Sequence, residues 1–157
     1  MEAQIAFLER EVKRLESVIA EAVLADEATR VTAGILVSIT GVGELTANAM
    51  VIDLPELGRV GDKQIASLAG VAPHPDESGK YRVRACIWGG RPRVRAKLYM
   101  AAFNARKYNP VIKAFCARLV GRGKPFKQAM TACMRKLLVL MNTLVARGQV
   151  WDPSHAT

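Results

Sequence analysis

Residues 125–147 read PFKQAMTACMRKLLVLMNTLVAR, and Phe126, Met130, Cys133, Leu137, Met141 and Leu144 recur in that stretch at steps of four, three, four, four and three. Such a period puts them on one stripe of a long α-helix and leaves Lys127, Arg135 and Lys136 off it. The chain before it uses the same device twice. Val111, Phe115 and Leu119 form a stripe that starts at Asn109-Pro110, a cap followed by a proline at the first helical position, and stops at Gly121-Arg122-Gly123. Before that, a helix from Pro92 or Arg93 to Tyr108 lines up Val94, Leu98, Ala101, Ala102 and Ala105, again with Arg91, Arg93, Arg95 and Lys97 off the stripe. Three successive helices, each with one apolar face, bury those faces on one another, so the expected fold is mainly α. Their methionines and aromatics are read as core rather than as a cofactor site.

Upstream, Tyr81, Val83, Ala85 and Ile87 alternate with Arg82, Arg84, Cys86 and Trp88. A period of two predicts a small extended ribbon around residues 80–88 with its bases outward. Asp62 is placed to cap a short helix through Leu68 that ends at Gly70, and Leu54-Pro55-Glu56-Leu57-Gly58 breaks the element before it. Residues 30–57 hold Ile35-Leu36-Val37-Ser38-Ile39, a Thr40-Gly41-Val42-Gly43 turn, and Glu44 to Leu54, which reads as a helix-hairpin-helix. Gly41 and Gly43 permit positive φ or close backbone approach, and the amides freed at the next helix start can hold a DNA phosphate. The alternative is a plain connector whose glycines only allow close packing. Glu44 suits the helix dipole but repels a phosphate.

At the start, residues 3–28 read as one helix on which Ile5, Leu8, Val12, Leu15 and Ile19 follow steps of three, four, three and four. This is a heptad seam and favours pairing with a second helix, as in a homodimer through residues 3–28; the alternative is one amphipathic helix lying on its own domain, for which the stripe is narrow. The domain plan is a connector helix over 1–30, a helical domain over 31–150 and a flexible tail over 151–157.

With 157 residues, half of them apolar, the chain is sized for one domain with a buried core. No uninterrupted apolar stretch has membrane length, and Glu2, Glu9, Glu11, Glu16 and Glu21 stand where a leader would carry cations and then an apolar run. A cytoplasmic chain without a membrane partner is expected. Cys86, Cys116 and Cys133 are odd in number and lack any CxxC or Cys/His spacing, so they read as reduced thiols, with no disulfide framework and no metal site.

Charge distribution says more than the net charge of +9. From residue 78 to residue 151 there are seventeen Lys and Arg and not one carboxylate, whereas residues 1–30 carry seven acids against four bases. A solubilising face intersperses both signs, so the acid-free half predicts a polyanionic partner. Helical context with few aromatics favours duplex or structured nucleic acid over a single-strand stacking platform.

Between the helices lies Ala72-Pro73-His74-Pro75-Asp76-Glu77-Ser78-Gly79-Lys80-Tyr81-Arg82-Val83-Arg84. Two prolines and a Ser-Gly pair make its first half a loop ending in a turn, where the Ser78 hydroxyl stands clear of the core. Lys80, Arg82 and Arg84 follow at alternate positions and so share one side of an extended segment, a row suited to a phosphate backbone.

Four stretches, in this order, resemble a known family: Ile39-Thr40-Gly41-Val42-Gly43, Leu68-Ala69-Gly70-Val71-Ala72-Pro73, the Glu77-Ser78-Gly79-Lys80 turn, and Gly89-Gly90-Arg91 leading through Val94-Arg95 to Leu98-Tyr99-Met100-Ala101-Ala102. Over roughly residues 30–150 the chain is similar to the C-terminal transposase domain of insertion-sequence one-hundred-and-ten type transposases. The resemblance implies a RuvC-like metal-dependent domain elsewhere, a structured bridge RNA as guide, and a coiled coil that joins the two domains and helps subunits associate. It implies that Ser78 is the nucleophile on a DNA phosphodiester and that Mg2+ belongs to the RuvC-like domain, which this chain lacks, so the chain is not expected to act alone. Lys80, Arg82, Arg84, Arg91, Arg93 and Arg95 are the candidate DNA contacts, and Lys80, Arg82, Arg84, Arg91 and Arg95 also the candidates to steady the transition state; His74 is the nearest base, and Asp76 and Glu77 adjoin the serine without a convincing metal set. Two other readings remain: a non-catalytic helix-hairpin-helix nucleic-acid-binding module, and a coiled-coil assembly protein whose basic residues are merely solvated.

Overall fold

The computed structural model describes residues 1–73 and 89–155, together with the backbone of 77–78 and 81–82. Among these residues it is mainly helical: α1 (Glu2–Ala25), α2 (Glu27–Ser38), α3 (Glu44–Asp53), α4 (Asp62–Leu68), α5 (Pro92–Tyr108), α6 (Pro110–Gly121) and α7 (Phe126–Arg147), closed by a 3₁₀ turn at Pro153–His155. Two-residue strands β1 (Glu77–Ser78) and β2 (Tyr81–Arg82) pair antiparallel between α4 and α5.

The three C-terminal helices form as their stripes require. Val94, Leu98, Ala101, Ala102 and Ala105 of α5 meet Met130, Cys133, Leu137 and Met141 of α7 in one cluster, with Ile112 and Cys116 of α6 beside them. By length and composition α7 could cross a membrane, yet it is the central core helix and packs against α2, α4, α5 and α6. Asn109, fully buried, starts α6: its Oδ1 accepts from Val111 N at 3.1 Å and Ile112 N at 3.2 Å, while its Nδ2 donates to Thr40 O at 3.3 Å. The cap thereby ties the α2–α3 turn to the α5–α6 corner.

Two expectations are corrected. The N-terminal helix does not run unbroken to residue 28. Asp26 leaves helical geometry at φ −105 and ψ 120 and caps α2, accepting from Thr29 N at 2.8 Å and Thr29 Oγ1 at 2.6 Å. Nor is the tail loose at its start. Trp151 packs on the core and its backbone N–H donates to Ser38 Oγ at 2.8 Å. On α1 the heptad stripe finds nothing to cover it. Ile5, Leu8, Val12 and Leu15 are all more than 50% exposed, and only Val23 of this helix is buried.

Candidate nucleic-acid interface

Ser78 sits in β1 opposite Tyr81, and Glu77 opposite Arg82. The described extended pair therefore begins at residue 77, earlier than the 80–88 expected from alternation. With Ser78 opposite Tyr81 only two residues separate the partners, and so short a connection sets the register. His74, Asp76, Lys80 and Arg84, with Val83–Trp88, lie outside the described residues.

The basic run at the start of α5 divides into different roles. Arg93 is exposed and points its charge to solvent. Arg95 is half-buried, and its Nη1 donates to Gly89 O at 2.7 Å. It also lines an open groove of about 890 Å³ between α5 and α7 whose walls include Tyr99, Met100, Phe126 and Met130, too apolar to serve as a phosphate slot. Arg91 is committed inward. Its fork holds Glu56 bidentately, Nη1 to Oε2 at 2.7 Å and Nη2 to Oε1 at 2.6 Å, and Nη1 also donates to Asp53 O at 2.9 Å.

Sequence reasoning missed Glu56, which reads there only as part of a helix break. The hydrogen bonds from Arg91 pull its carboxyl down to about 2 from an ordinary 4.5, and the same bonds raise the Arg91 guanidinium. Because the folded-state value is depressed, the pair contributes fully above about 4.5 and its contribution is lost as pH falls through about 2. A carboxyl titration by NMR should give Glu56 a midpoint near 2, returning to the ordinary range in Arg91→Ala; an ordinary midpoint in the parent chain contradicts the pairing.

The two glycines of the α2–α3 turn also part company. Gly41 has φ +100, and a Cβ there falls 2.6 Å from the backbone N and Cα of Ala105 in α5. Its lack of a side chain serves helix packing. Gly43 is exposed at the start of α3 with no atom within 4 Å of a built Cβ, so its neighbouring amides are the ones open to an anion. Glu44 stands exposed beside them.

Elsewhere the platform is dense in cations. Arg93, Lys97, Lys107, Lys113, Arg118, Arg122, Lys124 and Lys127 are exposed on α5, α6, α7 and the connections between them. Arg118 and the half-buried Arg106 and Lys136 lie over aromatic rings that fix their direction: Arg106 is 4.7 Å from the Phe103 centroid and 5.2 Å from that of Phe126, and Arg118 and Lys136 flank Phe115. The described residues hold no group of three or more His, Cys, Asp or Glu arranged for a metal ion. Cys116 and Cys133 are buried and free, and burial with the adjacent Cys116 pushes the Cys133 thiol up to about 12, leaving it protonated and unreactive.

These elements match a described class of proteins. The model of the Transposase IS116/IS110/IS902 family covers residues 33–117, from α2 through the Ser78 ribbon into α6. That is more than half of the chain, and the chain belongs to this family. It is also similar to the pilin gene-inverting proteins of Moraxella bovis and Moraxella lacunata, at 28% identity over 125 residues, covering 76% of this chain and 38% of each relative. The chain thus spans well under half the length of the curated relatives it matches.

Proposed function

We propose that this chain is the C-terminal, DNA-holding part of a transposase or recombinase, that Ser78 is its nucleophile, and that a RuvC-like domain outside the chain supplies the metal. The observation that carries the reading is the position of Ser78: it stands on a short ribbon within the family match, at the start of a run without carboxylates over residues 78–151. In the proposed step the Ser78 oxygen attacks a DNA phosphorus, a phosphorus–oxygen bond of the strand breaks, and the departing DNA hydroxyl keeps the electron pair and takes up a proton. The serine's own proton goes to a base, for which His74 is a candidate. A DNA hydroxyl later attacks the phosphoserine, restoring both serine and strand, so bond energy is conserved throughout.

A serine hydroxyl is a weak nucleophile at neutral pH and gains from a metal or base as well as from cations on the developing phosphoryl charge. Lys80, Arg82, Arg84 and Arg95 are proposed for that second task, Arg93 and the Gly43 turn for holding the duplex, and Mg2+ for the absent domain. Pairing of α1 with a second copy is supported by its uncovered heptad stripe. A structured guide RNA is a further proposed partner, and the cytoplasm the proposed setting.

A salt titration of DNA binding tests the platform. Contacts to roughly six phosphates give a log–log slope of about −5 in B-DNA. A slope that steep supports the reading, whereas a slope near −1 with binding gone at physiological salt favours the assembly protein.

A further inference from the structure

The connection from α4 to α5 carries Ser78, and its two ends, at Gly70 and at Gly89-Gly90, meet. Gly70 and Gly90, at φ +69 and +66, press backbone to backbone: a Cβ on Gly70 runs into Gly89 O and the Arg95 guanidinium, and one on Gly90 into the Gly70 backbone. Arg91 N donates to Leu68 O at 2.9 Å, Val71 N to Ala66 O at 2.9 Å, and Arg95 Nη1 to Gly89 O at 2.7 Å. From a third side the Arg91 fork seizes Glu56 and the Asp53 carbonyl, binding the neck to the end of α3.

An ion pair whose side chains are 38% and 32% exposed adds little to global stability. Its value lies in direction, because a bidentate guanidinium–carboxylate pair fixes angle as well as distance. A loop whose feet are fixed presents its tip in far fewer arrangements than one whose feet drift. For a nucleophile that must approach phosphorus along one line, that restriction bears on rate rather than on binding.

We propose that the Glu56–Arg91 pair is a positioning clamp that fixes the neck of the Ser78 loop, and that Arg91 itself touches no phosphate. The proposal rests on the reading of Ser78 as nucleophile. Glu56 and Arg91 act through the loop and are positioning residues, not catalytic ones.

The test compares Glu56→Gln, Arg91→Ala, Arg91→Lys and the exchanged pair Glu56→Arg with Arg91→Glu. Glu56→Gln keeps the side-chain shape and so serves if Arg91→Ala fails to fold. In the 157-residue chain, DNA affinity should stay within twofold and the salt slope unchanged, while amide hydrogen exchange at residues 66–72 and 89–95 rises at least tenfold and that of α7 does not. In an assembly with a cognate RuvC-like domain, guide RNA and DNA, covalent attachment to Ser78 should slow at least tenfold in each single variant, and the exchanged pair should recover part of both effects. A salt slope shallower by about one, with affinity lost uniformly across sequences, makes Arg91 a phosphate contact and overturns the clamp. Unchanged exchange at the neck overturns it too. If the parent assembly forms no adduct at Ser78, the nucleophile reading fails, and the exchange data decide the clamp by themselves.

Discussion

Ser78→Ala is expected to lower strand cleavage by roughly 10⁴-fold or more in a recombination-competent assembly, with DNA affinity unchanged. Loss on that scale is what removal of an attacking atom produces, since the remaining groups can hold the phosphodiester but cannot form the covalent intermediate that divides the reaction into two easier steps. Losing a neutral hydroxyl removes no counterion-releasing contact, so the salt slope of binding stays where the cations set it. Cleavage rates by gel and affinities by titration check both halves of the expectation. Normal recombination by Ser78→Ala would reduce the chain to a DNA-holding module.

The second large effect is on stability. Gly41→Ala forces a side chain into φ +100 and sets its Cβ 2.6 Å from the Ala105 backbone. The left-handed conformation costs about 1–2 kcal/mol for a non-glycine residue, and overpacking against a helix backbone that cannot rotate away adds about 1–3 kcal/mol. A total near 3 kcal/mol lowers the melting temperature by roughly 10 °C in a domain of this size. Gly43→Ala, at φ −89 with open space around it, should cost less than about 1 kcal/mol. The pair also separates the two roles first assigned jointly to this turn. If Gly41→Ala melts like the parent, the close α2–α3 to α5 approach is wrong; if Gly43→Ala weakens DNA binding without changing the melt, the exposed turn is where phosphate sits.

What the sequence made legible was local and periodic. The stripes of α5, α6 and α7, the Asn109-Pro110 start and the Gly121–Gly123 stop each lie within a few turns of chain, and all reappear as elements or caps. What it hid was distant or competitive. Glu56 and Arg91 stand 35 residues apart, and an ion pair across such a span leaves no period to detect. Asp26 broke a helix that heptad spacing alone would carry onward, because a side chain that satisfies the next helix's amides competes with continuation. For Gly41 the sequence leaves open whether the glycine frees amides for phosphate or only allows close packing, and φ +100 with the Ala105 backbone 2.6 Å from a built Cβ decides for packing. Ser78 itself stood out only through the ordered set of family motifs, since a Ser-Gly turn is otherwise commonplace.

The central claim meets its most direct test in peptide mapping. The assembly is trapped during strand exchange and digested with nuclease and trypsin, and the tryptic peptide 64–80, which contains Ser78, is examined by mass spectrometry. The account predicts a nucleotide phosphate on Ser78 of that peptide, present in the parent and absent in Ser78→Ala. A nucleotide on another residue, or no adduct in an assembly that completes recombination, would contradict it.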